Sequence, residues 1–123
     1  MFRKSLAVGI VAVLAAVLAA TALARRDATP TLVGTVGPGY TIGLTKDGKA
    51  VKTLPAGAYK LVIHDKASIH AWSLDGPHGY AKDFTQVSFV GTKSWTVKLT
   101  PGTWKYYCKP HEVMGMGHTF TVM

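Results

Sequence analysis

The chain has 123 residues, 48% of them hydrophobic, and a formal net charge of +8. That length supports one small domain with a single core, and one cysteine rules out a disulfide-built scaffold. The lysines from Lys46 to Lys109 are scattered singly, without the clustered stripe that nucleic-acid binding needs.

The N-terminus reads as a secretory signal over residues 1–24. Arg3 and Lys4 give the basic start, residues 6–20 are an unbroken apolar run, and Ala22-Leu23-Ala24 is a small-x-small cleavage site. If kept, the same run would almost span a bilayer. The expectation is therefore an exported protein, periplasmic or extracellular, that is membrane-anchored only where this segment is retained. Loss of Arg3 and Lys4 with the signal takes the net charge from +8 to +6. Such a surface suits an acidic protein partner or anionic lipid headgroups. Residues 25–30 read as a short linker, and residues 31–123 as the folded domain, expected to be a monomer.

Past the signal, no stretch sustains a helical period, and short alternating runs recur. Residues 31–36 and 40–45 read as strands around Gly37-Pro38-Gly39, and the Asp47-Gly48 pair predicts a hairpin turn. Residues 58–65 alternate Tyr59, Leu61 and Ile63 with Lys60, Val62 and His64. Residues 68–74, 86–90, 94–99, 103–108 and 118–122 follow as strands, with Gly- and Pro-containing turns between them. Residues 78–85 are the least regular and are expected to loop over one end. Seven to eight short strands argue for an all-β sandwich or barrel, with Trp72, Trp95 and Trp104 as core or near-core aromatics.

The densest chemistry lies in YYCKPHEVMGM, residues 106–116. It puts the thiol of Cys108, the imidazole of His111 and the thioether of Met116 on one turn, with His70 upstream. Two imidazoles, a thiolate and a weak thioether are the donors that hold copper in a trigonal site with a distant axial Met. Zinc sites rarely use a thioether, and the CxxCH run of haem attachment is absent. A bound metal also accounts for an unpaired thiol in an exported protein, since it holds and shields the thiolate.

CKPHEVMGM closely resembles the copper loop of the plastocyanin, pseudoazurin and amicyanin type cupredoxins, and HDKASIHAWSLDGP resembles the stretch that carries their first histidine. PGTWKYYC and GHTFTV fit the same pattern, so the resemblance covers residues 31–123. It implies an eight-stranded Greek-key β-sandwich with one type 1 copper ion. It further implies His70, Cys108 and His111 as equatorial ligands and Met116 as the axial one. His64 and His78 compete with His70, and Met114 competes with Met116. His118 is expected to point outward, away from the metal. Ala71 departs from the family, where Asn commonly follows the first histidine and ties the two ligand segments together.

The reading is a one-electron carrier and not an enzyme. By resemblance, the electron would pass through His111, within an apolar patch to which Pro110, Val113 and Met114 could contribute. The alternative is an exported copper-binding protein for buffering or delivery, which would need exchangeable metal in place of a rigid site. A Cys108–His111 nucleophilic pair is the enzymatic rival, and it lacks an orienting acid or oxyanion-hole motif.

Overall fold

A computed structural model describes residues 28–123. The signal segment and the boundary before residue 25 lie outside the described residues. Ten strands form two five-stranded sheets. The first sheet is ordered β3-β2-β1-β5-β8 and the second β4-β10-β9-β6-β7. These are β1 (Thr31–Val36), β2 (Ile42–Lys46), β3 (Lys49–Ala50), β4 (Thr53–Leu54), β5 (Gly57–Asp65), β6 (Trp72–Asp75), β7 (Ala81–Thr85), β8 (Gly91–Leu99), β9 (Gly102–Tyr107) and β10 (Gly117–Val122). Without the two-residue pieces β3 and β4, eight strands remain, as expected for the cupredoxin-like sandwich.

Alternation builds the core between the sheets. In β5 the inward positions are Tyr59, Leu61 and Ile63, which meet Leu32 and Val36 of β1 and Val97 and Leu99 of β8. The second sheet answers with Trp72, Leu74, Phe84, Trp104, Tyr106, Phe120 and Val122. Trp72 and Trp104 are fully buried, and Trp95 is half-buried against Phe84. Asp47 and Gly48, at φ 51° and 77°, make the two-residue hairpin between β2 and β3. Both φ values are positive, which is why Asp-Gly suits the place.

The structure corrects several expectations about elements. Residues 78–85 do not simply loop, because Ala81–Thr85 is β7, an edge strand paired with β6. Its Ala81 and Lys82 are exposed and its Asp83 is half-buried, so it lacks the apolar alternation of a central strand. Residues 86–90 are a loop and not a strand: Val87 and Val90 are exposed, and Ser88 sits at φ 80°. Residues 68–71 precede β6, so His70 stands in a loop and not inside a strand.

Pairing decides which loops share an end. Val36 lies opposite Asp65, Ser73 opposite Tyr107, and Tyr107 opposite Gly117. The loops 37–41, 66–71 and 108–116 therefore emerge together at one pole of the sandwich.

Candidate metal centre

His70 is fully buried at the end of loop 66–71, and that loop is tied down at several points. Lys66 N–H donates to the Val36 carbonyl (2.9 Å), and Ser88 N–H donates to the Ser68 carbonyl (2.9 Å). The Asp65 carboxylate accepts from Ala67 N–H (3.3 Å), the local turn that an Asp side chain favours. Residues 86–90, a loop where the residue pattern predicts a strand, thus brace the histidine loop through Ser88. Cys108, also fully buried, follows the last residue of β9, and a 3-10 turn over Lys109–Met114 presents His111. Gly115, at φ 89°, ends that turn and returns the chain so that Cys108 N–H donates to the Met116 carbonyl (3.0 Å).

Three donor atoms converge. The Nδ1 atoms of His70 and His111 lie 3.0 Å apart, and Cys108 Sγ is 3.7 Å from the first and 3.6 Å from the second. A point at the centre of a triangle with those sides is about 2.0 Å from each corner, close to metal–imidazole distances and slightly short for metal–thiolate. The His70 Nε2–H donates to the Gly39 carbonyl (2.9 Å), which leaves its Nδ1 as a lone pair. A lone pair aimed at a second Nδ1 and a sulfur makes sense when all three face a cation. Ala71 N–H points at Cys108 Sγ (3.4 Å).

Electrostatic contacts hold the 109–114 turn from outside. Lys109 Nζ donates to Asp83 Oδ2 (2.8 Å), whose other oxygen accepts from the Ser73 hydroxyl (2.7 Å). The Lys109 hydrogen bond, aided by Ser73, holds the Asp83 carboxyl below the usual carboxylate range. Lys105 pairs with Glu112 on the same turn. Burial, and then the hydrogen bond to the Asp75 carboxylate, push the Tyr107 phenol up to about 12.

The structure brings His70, Cys108 and His111 together as expected. Met116 is buried at 1% exposure beside them in sequence, whereas Met114 is 58% exposed. His64 bonds Thr92 on the outer face of the first sheet (2.9 Å), and His78 is exposed in the turn Pro77–Gly79, so neither competes with His70. His118 is exposed on β10. The tie that Asn would supply after the first histidine is built from other groups. Ala71 contributes its backbone N–H to the sulfur, while Ser73, Asp83 and Lys109 join β6, β7 and the ligand turn.

Two participants escaped the sequence reading, the Gly39 carbonyl and Tyr40. Residue 40 was expected in a strand, but it belongs to loop 37–41 and its ring stands nearly perpendicular to both imidazoles. The Gly-Pro-Gly run beside it was the available signal.

Residues 46–123 match the model of the copper binding proteins of the plastocyanin/azurin family. The chain belongs to that family. Among solved structures it is similar to reduced rusticyanin, with 20% identity, a TM-score of 0.56, and coverage of 76% of this chain and 78% of the other. Rusticyanin from Thiobacillus ferrooxidans aligns likewise, at 21% identity, TM-score 0.55 and 76% of each chain. These likenesses concern the fold. No curated protein sequence matches the chain. The donor set fits the family's metal: two imidazoles, a sulfur with a donor N–H, and the buried thioether of Met116 suit a single type 1 copper ion.

Proposed function

We propose that the protein is an exported one-electron carrier, with His70, Cys108 and His111 as the equatorial ligands of copper and Met116 as the axial one. The observation that carries the reading is the triangle of two Nδ1 atoms and Sγ, with one imidazole oriented by the Gly39 carbonyl. Copper in such a donor set supplies a Cu(II)/Cu(I) couple. The residues do the rest. Braced backbone around His70 and Cys108 keeps the donors in one arrangement for both charges, so little reorganisation accompanies transfer. Ala71 N–H and the buried surroundings limit the thiolate's contact with water and oxidants.

His111, half-buried near exposed Tyr40, Val113 and Met114, is the proposed exit to a partner. An acidic redox protein fits as that partner. The ion pairs use Lys46, Lys105 and Lys109, and among the described residues Lys49, Lys52, Lys60, Lys66 and Lys98 have no carboxylate partner. Export rests on the signal pattern of residues 1–24. Among the described residues no helix is long and apolar enough to cross a membrane.

The test is an absorption and EPR spectrum with one equivalent of Cu(II), followed by stopped-flow reduction by acidic redox proteins at several ionic strengths. An intense thiolate-to-copper band that disappears in Cys108→Ser is expected, with rates that fall steeply as salt screens the encounter. A band that survives in Cys108→Ser sinks the ligand assignment. Slow, salt-insensitive reduction with rapid copper loss to a chelator assigns the protein to copper buffering or delivery instead.

A further inference from the structure

The two imidazoles are not held alike. His70 is fixed through its Nε2–H by the Gly39 carbonyl and is fully buried. The ring contacts of His111 with His70 and Cys108 both run through Nδ1, the atom on the metal side. His111 is half-buried in a short 3-10 turn at the surface, so less of the protein packs around its ring than around that of His70. Tyr40 packs against the His111 ring and against His70. The Tyr40 centroid is 5.0 Å from that of His111 at 84° and 5.5 Å from that of His70 at 78°. The two imidazoles are themselves 4.9 Å apart at 79°. Three rings thus stand mutually perpendicular, within the distance range where aromatic pairs attract.

We propose that Tyr40 is a positioning residue of the centre, which locks the His111 ring in the donor geometry and covers the metal against exchange. The inference rests on the copper reading above and deepens it. Gly39 and Tyr40 share one peptide unit, so its carbonyl orients one imidazole while the following ring braces the other. The loop that carries them is closed by Gly37 N–H to the Thr41 carbonyl (2.9 Å), which gives Tyr40 a firm base. Tyr40 is 55% exposed, so its ring lies between the two imidazoles and solvent. In this way loop 37–41 takes over part of the securing of the ligands for which Asn in place of Ala71 would serve. A site secured so retains its metal, which favours a carrier over a buffer.

The experiment compares wild type with Tyr40→Phe, Tyr40→Leu and Tyr40→Ala, with and without copper. In the metal-free protein, NMR reads the carbon-bound imidazole protons of His111 and His70. Ring-current shifts should persist in Tyr40→Phe and collapse in Tyr40→Leu and Tyr40→Ala. In the copper protein, transfer of metal to a chelator should quicken about tenfold in the Leu and Ala variants, where the covering ring is gone, and by less than twofold in Phe. The thiolate-to-copper band should shift in the same order. Wild-type release rates and unshifted His111 resonances in Tyr40→Ala would overturn the proposal, as would a Phe variant as leaky as Ala. Failure of the copper reading shows differently: wild type itself would then lack the thiolate band, while the metal-free NMR still decides whether Tyr40 positions the rings.

Discussion

The two segments that deliver the donors are secured by opposite means. Loop 66–71 is gripped by backbone: the Val36 carbonyl, Ser88 N–H and the Gly39 carbonyl all reach into it, and His70 has no exposed surface. The turn 109–114 is held at its ends by Cys108 and Met116 in the core, while its middle lies at the surface under the Lys109–Asp83 and Lys105–Glu112 pairs. Backbone hydrogen bonds in a dry site resist salt and pH, whereas exposed ion pairs do not. One half of the centre is therefore a rigid reference, and the other is a surface feature pinned at two buried points. The contrast suits the electron exit proposed above, through the second half, where a partner would approach.

The sharpest way to break this contrast lies within the turn itself, at its two methionines. Met116→Ala opens a hole beneath the site and should cost about 2–5 kcal/mol of stability in denaturant unfolding of the metal-free protein. Met114→Ala, at an exposed position, should stay within about 0.5 kcal/mol. In the copper protein, Met116→Gln should move the reduction potential and the visible bands, and Met114→Gln should leave both nearly in place. The reverse pattern would move the axial role to Met114 and make the surface of the turn part of the centre.

The rigid half can be tested at Gly37. This residue has φ 75°, and an added Cβ would come within 3.1 Å of both His70 Cδ2 and Ala67 Cβ. Gly37→Ala therefore meets backbone strain and crowding together and should cost about 1–3 kcal/mol. Since the displaced atom is in the ligand ring, the EPR signal of the copper protein should change with the stability. A stable variant with an unaltered spectrum would show that loop 37–41 does not brace His70.

The same contrast explains what could be read from the residues alone. The turn was legible because its donors are local: Cys108, His111 and Met116 lie within nine positions, with Pro110 and Gly115 as punctuation. His70 needed the family resemblance, and His64 and His78 could be set aside only once pairing placed them elsewhere. What braces the rigid half was not legible. A carbonyl has no residue identity, so nothing marks Gly39 as the partner of His70 across 31 positions. Ser88 likewise contributes only its N–H. The strand β7 was missed because edge strands carry charge where central strands carry apolar side chains. Its Asp83 then proved to be the anchor for Lys109, which no local pattern announces.

The smallest expected effect comes from that anchor. Asp83→Asn keeps an acceptor for Ser73 but removes the charge facing Lys109. Both side chains are partly exposed, so the loss should be no more than about 0.5 kcal/mol at low salt and should fade as salt rises. Its pH dependence has a definite sign. The Lys109 hydrogen bond lowers the folded-state pKa of Asp83, so the stabilisation is fully present above the ordinary carboxylate value of about 3.9. It is lost as pH falls through the lowered folded value. Unfolding curves of wild type and Asp83→Asn should therefore differ by a constant small amount from pH 5 to 7 and converge in more acid solution. The spectrum of the copper protein should be unchanged, because Met116 and Cys108 still pin the turn at its buried ends. A gap that widens toward acid, or a shifted thiolate band in Asp83→Asn, would mean that the surface pair sets the geometry of His111 and that both halves of the centre are rigid.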